Sequence, residues 1–182
     1  MSVFLFMRRA RLLTIHRLVF DDEGNLMELR PGDPSLPDRE CKSIRLLQLE
    51  GQLFFGAAGE LANALDDLIE EPEVKVVWLR LRRAFGMDVT ITQTLADAAT
   101  RLRAEGRYLV VVGVREEAAG VLERTETLAT LAPENVFAKT DTWFHASDRG
   151  LHRALELAGE HACLASCPIR QHLRALDDTP DA

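Results

Sequence analysis

The sequence is short of most features that reveal a function directly. It has three cysteines in 182 residues, an odd number that builds no disulfide framework and suits a reducing compartment. No run approaches the roughly 20 consecutive apolar residues that a membrane helix needs. Neither G-x-x-x-x-G-K nor G-x-G-x-x-G occurs, so the common glycine-rich phosphate cradles are missing. No Ser-His-Asp or Cys-His set stands at a recognisable spacing. His16, His145 and His152 are scattered, and Asp66-Asp67 and Glu70-Glu71 read as a solvated helix face. Neither an enzyme nor a cofactor is expected. Basic residues are outnumbered too, 22 Lys and Arg against 29 Asp and Glu. The net charge of −7 argues against general nucleic-acid binding, which needs a basic face.

What is present is the composition of a folded domain, 47% hydrophobic and 28% charged, in a chain about one domain long. The organising stretch runs from Val74 to Arg103. Val74, Val76, Val77, Trp78, Leu79 and Leu81 form a run apolar on both faces, as a central strand covered on each side would be. A turn with Gly86 follows. Then Ile91, Leu95, Ala98 and Leu102 repeat at helical spacing, and Asp88 sits where an N-cap belongs. Strand, tight loop and helix place a ligand or a covalent mark at the loop.

The flanking segments repeat the alternation. Ile44, Leu46, Leu47 and Leu49 predict a strand, and Leu53-Phe54-Phe55 extends or re-enters the sheet. Ala58, Leu61, Leu65 and Leu68 predict a helix ending before Pro72. Tyr108–Val114 is a second buried strand, Arg115–Glu126 a helix, and Asn135–Phe137 a short last strand. Ser147 or Asp148 caps a helix that stops at Gly159. The class is α/β, with a mixed, mainly parallel sheet of four or five strands. The helices between residues 57 and 158 each have one apolar stripe, which suits a single layer covering the sheet. The folded unit is expected over 41–159, with 160–182 a flexible tail.

Residues 1–40 read as an N-terminal amphipathic segment and linker, with Asn25–Arg30 at most a short edge strand. Residues 1–19 carry Arg8, Arg9, Arg11 and Arg17 and no acid, so +4, and the whole-chain −7 leaves −11 for the remainder. The apolar burst precedes the arginines, the reverse of a signal peptide. It suits an amphipathic helix docked on the domain or a membrane surface, or the end of a membrane span with arginines on its cytoplasmic side.

IRLLQLEGQLFFGAAGELANALDDL, the buried strand after it, GMDVTITQTLADAATRLRAEGRYLVVVGV and NVF together resemble a STAS domain. That family joins the C-terminal domains of sulfate transporters to the bacterial anti-sigma factor antagonists. The resemblance covers about residues 41–159, and the wording of Leu46–Ala58 is similar to the transporter branch. In SulP-type anion transporters the STAS domain follows the last membrane helix. VFLFMRRARLL and its Pro-rich linker resemble the end of that helix.

The resemblance implies a cytoplasmic regulatory and interaction domain at the cytoplasmic face of the inner membrane, within a transporter of an inorganic anion such as sulfate or bicarbonate. The implied partners are the transporter membrane domain, a second copy in a homodimer, or a cytosolic regulatory protein. The alternative is a free-standing regulator like the anti-sigma factor antagonists. A third reading is a nucleotide or anion sensor at the 86–90 loop.

Candidate residues follow. Anti-sigma antagonists carry an Asp-Ser pair at this loop, and the serine is phosphorylated. Here Val89, without a hydroxyl, follows Asp88, and Thr90 lies one place further on. As a sensor, Gly86, Asp88, Val89 and Thr90 would offer free helix N–H groups to an anion, helped by Arg82 and Arg83 beside Arg80. Phe4, Phe6, Arg8, Arg9 and Trp143 are the candidate interface. No metal is expected. The weak candidates are Cys163 and Cys167, with His161 and His172 nearby, at a spacing unlike a zinc finger.

Overall fold

The computed structural model describes residues 13–21, 23–29, 39–139, 145–159 and 166–177. Its strands are β1 (Leu13–Phe20), β2 (Leu26–Glu28), β3 (Ile44–Gln52), β4 (Val76–Phe85), β5 (Tyr108–Val114) and β6 (Val136–Ala138). Its helices are α1 (Ala58–Ile69), α2 (Val89–Ala104), α3 (Glu116–Arg124), α4 (Thr127–Leu131), α5 (His145–Ala158) and α6 (Pro168–Asp177). Among the described residues the strands form one sheet in the order β2-β1-β3-β4-β5-β6. β3 to β6 run parallel, while β1 is antiparallel to both its neighbours. The mixed, mainly parallel α/β class holds, with six strands rather than four or five.

The additional strand corrects the reading of the N-terminus. Residues 13–20 are neither a docked helix nor the end of a span. They pair with β3 from Leu13 opposite Gly51 to Leu18 opposite Leu46, and Leu13, Leu18, Val19 and Phe20 are buried. β2 falls inside the short edge strand expected from Asn25 to Arg30. The sheet therefore starts well before residue 41. Phe4, Phe6, Arg8 and Arg9 lie outside the described residues.

Helices cover both faces, which corrects the single layer. Odd-numbered residues of the central strands, Leu47, Leu49, Val77, Leu79 and Val111, pack with α1 to α4. Even-numbered ones, Leu46, Val76, Trp78, Val110 and Val112, pack with α5 and α6. This is the two-sided burial that the continuous apolar run of β4 requires. α5 lies close to the sheet because Gly150 has no side chain. A Cβ there would collide with Val112 and come within 2.9 Å of Trp78 Nε1.

The stretch expected to be a flexible tail contributes α6. Pro168 opens it at a position where a missing N–H costs nothing, and Cys167, Ile169 and Leu173 are buried. Beneath the opposite layer, Arg107 is 3% exposed. It donates to the carbonyls of Leu68, Ile69, Glu71 and Val74 at 2.6–3.1 Å and to Glu105 at 3.1 Å. These include carbonyls of the last turn of α1, which have no partner within the helix. No helix among the described residues is long and apolar enough to cross a membrane.

Candidate functional site at the carboxyl edge of the sheet

Parallel strands with helical crossovers collect their loops at the carboxyl ends, where ligands and partners of α/β sheets usually meet the fold. Here the β3–α1 and β4–α2 connections lie side by side. Gly86 turns the chain off β4 at φ +69°, a conformation glycine adopts without strain. Asp88 is the N-cap of α2, and its Oδ1 accepts from Ile91 N at 3.1 Å. Its Oδ2 accepts from Phe55 N at 2.7 Å, a tie across 33 residues. Leu53 N donates to Phe85 O at 2.8 Å, and Asp88 N to Leu53 O at 3.1 Å. One carboxylate thus fastens both loops and satisfies a free donor of α2.

The fastened edge is apolar on its outside. Phe55 is 72% exposed, Val89 64% and Phe85 54%. Single exposed hydrophobes mean little, but three large ones on adjoining loops form a surface a partner can cover. Thr90 is also exposed. Phe55 and Phe85 were not picked out from the sequence. Each ends a strand-like run, and only the pairing of Gln52 with Phe85 brings them to one edge.

The arginines expected beside this loop are turned away from it. β4 matches Gln48 with Arg80 and Glu50 with Arg83, so three residues of β4 stand against two of β3. Such a bulge re-aims side chains. It places Arg80, Arg82 and Arg83 together in a cleft walled by Phe20 and by Asp148 and Leu151 of α5. The cation next to the 86–90 loop is instead Arg115. It lines a cleft of about 320 Å³ with Met87, Glu117 and Val121, and its guanidinium donates to Arg82 O at 3.3 Å.

The soft ligands of the tail are not brought into one shell by the described residues. Cys167 is fully buried with its Sγ 3.8 Å from Cys41 Sγ. His172 lies 2.8 Å from Gly24 O and 3.5 Å from Asp148. Cys163, His161 and Trp143 lie outside the described residues. The donor atoms of His16, Glu28 and Glu50 do gather within 4.8 Å of one another. Arg83 Nη1 stands 2.9 Å from Glu28 and 3.2 Å from Glu50, supplying the positive charge those carboxylates call for.

Comparison with known proteins places this architecture. A family model for the STAS domain matches residues 37–142. YvdB of Bacillus subtilis (strain 168), which carries a sulfate-transporter name, is 24% identical over 108 residues, 59% of this chain and 20% of its own length. A crystal structure of a sulfate transporter family protein from Wolinella succinogenes is 29% identical with a TM-score of 0.53, covering 69% of this chain and 97% of that one. The murine Slc26a9 anion transporter in its inward-facing state shares the fold at 11% identity and a TM-score of 0.61, over 85% of this chain and 24% of the transporter. The chain thus spans about a fifth of YvdB and about a quarter of Slc26a9.

Proposed function

The chain belongs to the STAS domain family, and on that premise we propose that it is the cytoplasmic regulatory domain of a SulP-type inorganic anion transporter. It acts by contact rather than by chemistry. The observation that carries this reading is the apolar edge formed by Phe55, Phe85 and Val89 around Asp88. The relatives named for sulfate and anion transport favour a membrane domain as the partner that covers it. The entry of the chain supports the same choice. β1 begins at Leu13 opposite Gly51, so the chain enters this strand at the same edge and not the far one. A phosphorylation switch at the loop is disfavoured by Val89, which has no hydroxyl to modify.

The test is to place a photo-crosslinking amino acid at position 89 in the protein expressed from its own gene in its own cell. The expected product joins this domain to peptides of a multi-span anion transporter, whether on the same chain or another. Crosslinks confined to soluble kinases or anti-sigma factors would overturn the proposal in favour of a free-standing regulator.

A further inference from the structure

The arginine cleft on the opposite face of the sheet has no part in the contact just proposed. It encloses about 540 Å³ between the carboxyl half of β4, the β1–β2 turn and the facing ends of α5 and α6. Arg80 and Gln48 are cross-strand partners on its floor, and Gln48 is 4% exposed. The bulge in β4 adds Arg82 and Arg83 to the same wall. Three guanidinium groups within four residues of one strand repel one another, and apolar side chains such as Phe20 and Leu151 keep the local dielectric low.

The nearby carboxylates have partners other than Arg80, and Glu23, exposed on the β1–β2 turn, accepts from Asn25 at 3.4 Å. Glu28 and Glu50 hold Arg83, and Asp148 lies 3.5 Å from His172. Arg80 Nε is buried and makes no hydrogen bond. Burial first, and then the charges of Arg82 and Arg83, push the Arg80 pKa down, while Asp148 pulls the other way. A buried guanidinium N–H without an acceptor is costly, and a bound anion is the direct remedy. Ser147, at the first turn of α5, is 8% exposed and lines the same space. It brings a hydroxyl and the positive end of a 14-residue helix to bear on the cleft.

We propose that this cleft is a binding site for a small doubly charged oxyanion of the sulfate or hydrogen phosphate kind, held by the Arg80 fork with Gln48 and Ser147. Guanidinium suits such a ligand because its planar donors match two oxygens at once. Arg83, already bridged to Glu28 and Glu50, sets the field of the site without being its anchor.

The test follows the arginine Nε–Hε and backbone amide resonances of the whole chain by NMR. It is titrated with sodium sulfate, then with phosphate, against sodium chloride at equal ionic strength. The expected result is a saturating shift of the Arg80 Nε signal and of the Ser147 and Asp148 amides with either oxyanion and not with chloride. In Arg80→Gln the dissociation constant rises at least about tenfold, as loss of a charge-assisted pair implies. In Arg83→Gln it changes by less than about threefold. Should Arg80→Gln fail to fold, the wild-type titration decides alone. Shifts identical in chloride, or saturation mapping to residues 86–90 while Arg80 stays still, would overturn the proposal. Neither result bears on the crosslinking experiment, so the two readings fail separately.

Discussion

Replacing Arg107 with leucine strips donors from four carbonyl groups while keeping most of the side chain's bulk. In the native protein the guanidinium donates to Leu68, Ile69, Glu71 and Val74 and is 3% exposed. Hydrogen bonds to a charged group contribute about 1.5–3 kcal/mol each, and a stranded buried acceptor costs about 1–3 kcal/mol. These terms do not add fully, since Leu68 O and Glu71 O also accept from the backbone N–H groups of Glu71 and Val74 at 3.2 Å. The partner Glu105 is 55% exposed, so its carboxylate returns to solvent at little cost. Stranding the carbonyls of Ile69 and Val74 and losing the charged bonds to them together puts the cost at about 3–5 kcal/mol. With a urea dependence of about 2 kcal/mol per molar for a domain of this size, the unfolding midpoint should fall by about 1.5–2.5 M. Arg107→Lys keeps the charge but not the fork, and should lose about half as much. Arg101→Leu, a change at an exposed pair with Asp66, is the control, with an expected loss under about 1 kcal/mol. An Arg107→Leu midpoint within about 0.5 M of wild type would refute the reasoning. It would show that water or local rearrangement serves those carbonyls as well as the guanidinium does.

Two further substitutions probe the site and the packing beneath it. Asp88→Ala removes the α2 cap and the tie to Phe55 together, and a loss of about 1–3 kcal/mol in the same urea assay is expected, with faster amide exchange at Phe55 and Ile91. Gly150→Ala gains up to about 1 kcal/mol in helix propensity but drives a methyl group into Val112 and Trp78. A net destabilisation of about 1–3 kcal/mol should appear in thermal unfolding, and a variant as stable as wild type would mean that α5 does not sit so close to the sheet.

The sequence made the centre of this fold legible and its margins much less so. β3, β4 and β5 are continuous apolar runs with helical stripes between them, and Asp88 stands at a cap position that needs no tertiary knowledge to recognise. β1 was obscured because LTIHRLVF does not alternate cleanly and follows an apolar, arginine-rich burst. Its identity comes from pairing with β3, whose partner residues lie 28 to 38 positions further along the chain. α6 did leave a trace, since Ile169, Leu173 and Leu176 repeat at helical spacing. Pro168 ahead of them fits too, since proline favours the first position of a helix. Stripes say that a helix is covered but not which side of the sheet covers it, so α5 was placed with the others. At the candidate site, the bulge that turns three arginines away from the 86–90 loop depends on the match between β3 and β4. Arg107 looks like any surface arginine until the end of α1 is built over it.

The outermost strands among the described residues, β2 and β6, are three residues long, and this bears on how copies of the domain would meet. A growing β-structure needs an edge long enough to template a new strand, and these offer room for two or three hydrogen bonds. Any assembly that held copies of such a domain side by side would raise their local concentration to about the millimolar range, conditions under which long bare edges fuse. At β2 and β6 any encounter between neighbours would fall to helices and loops, whereas Leu13–His16 of β1, which β2 does not pair with, is the longer edge that such an encounter would have to leave alone.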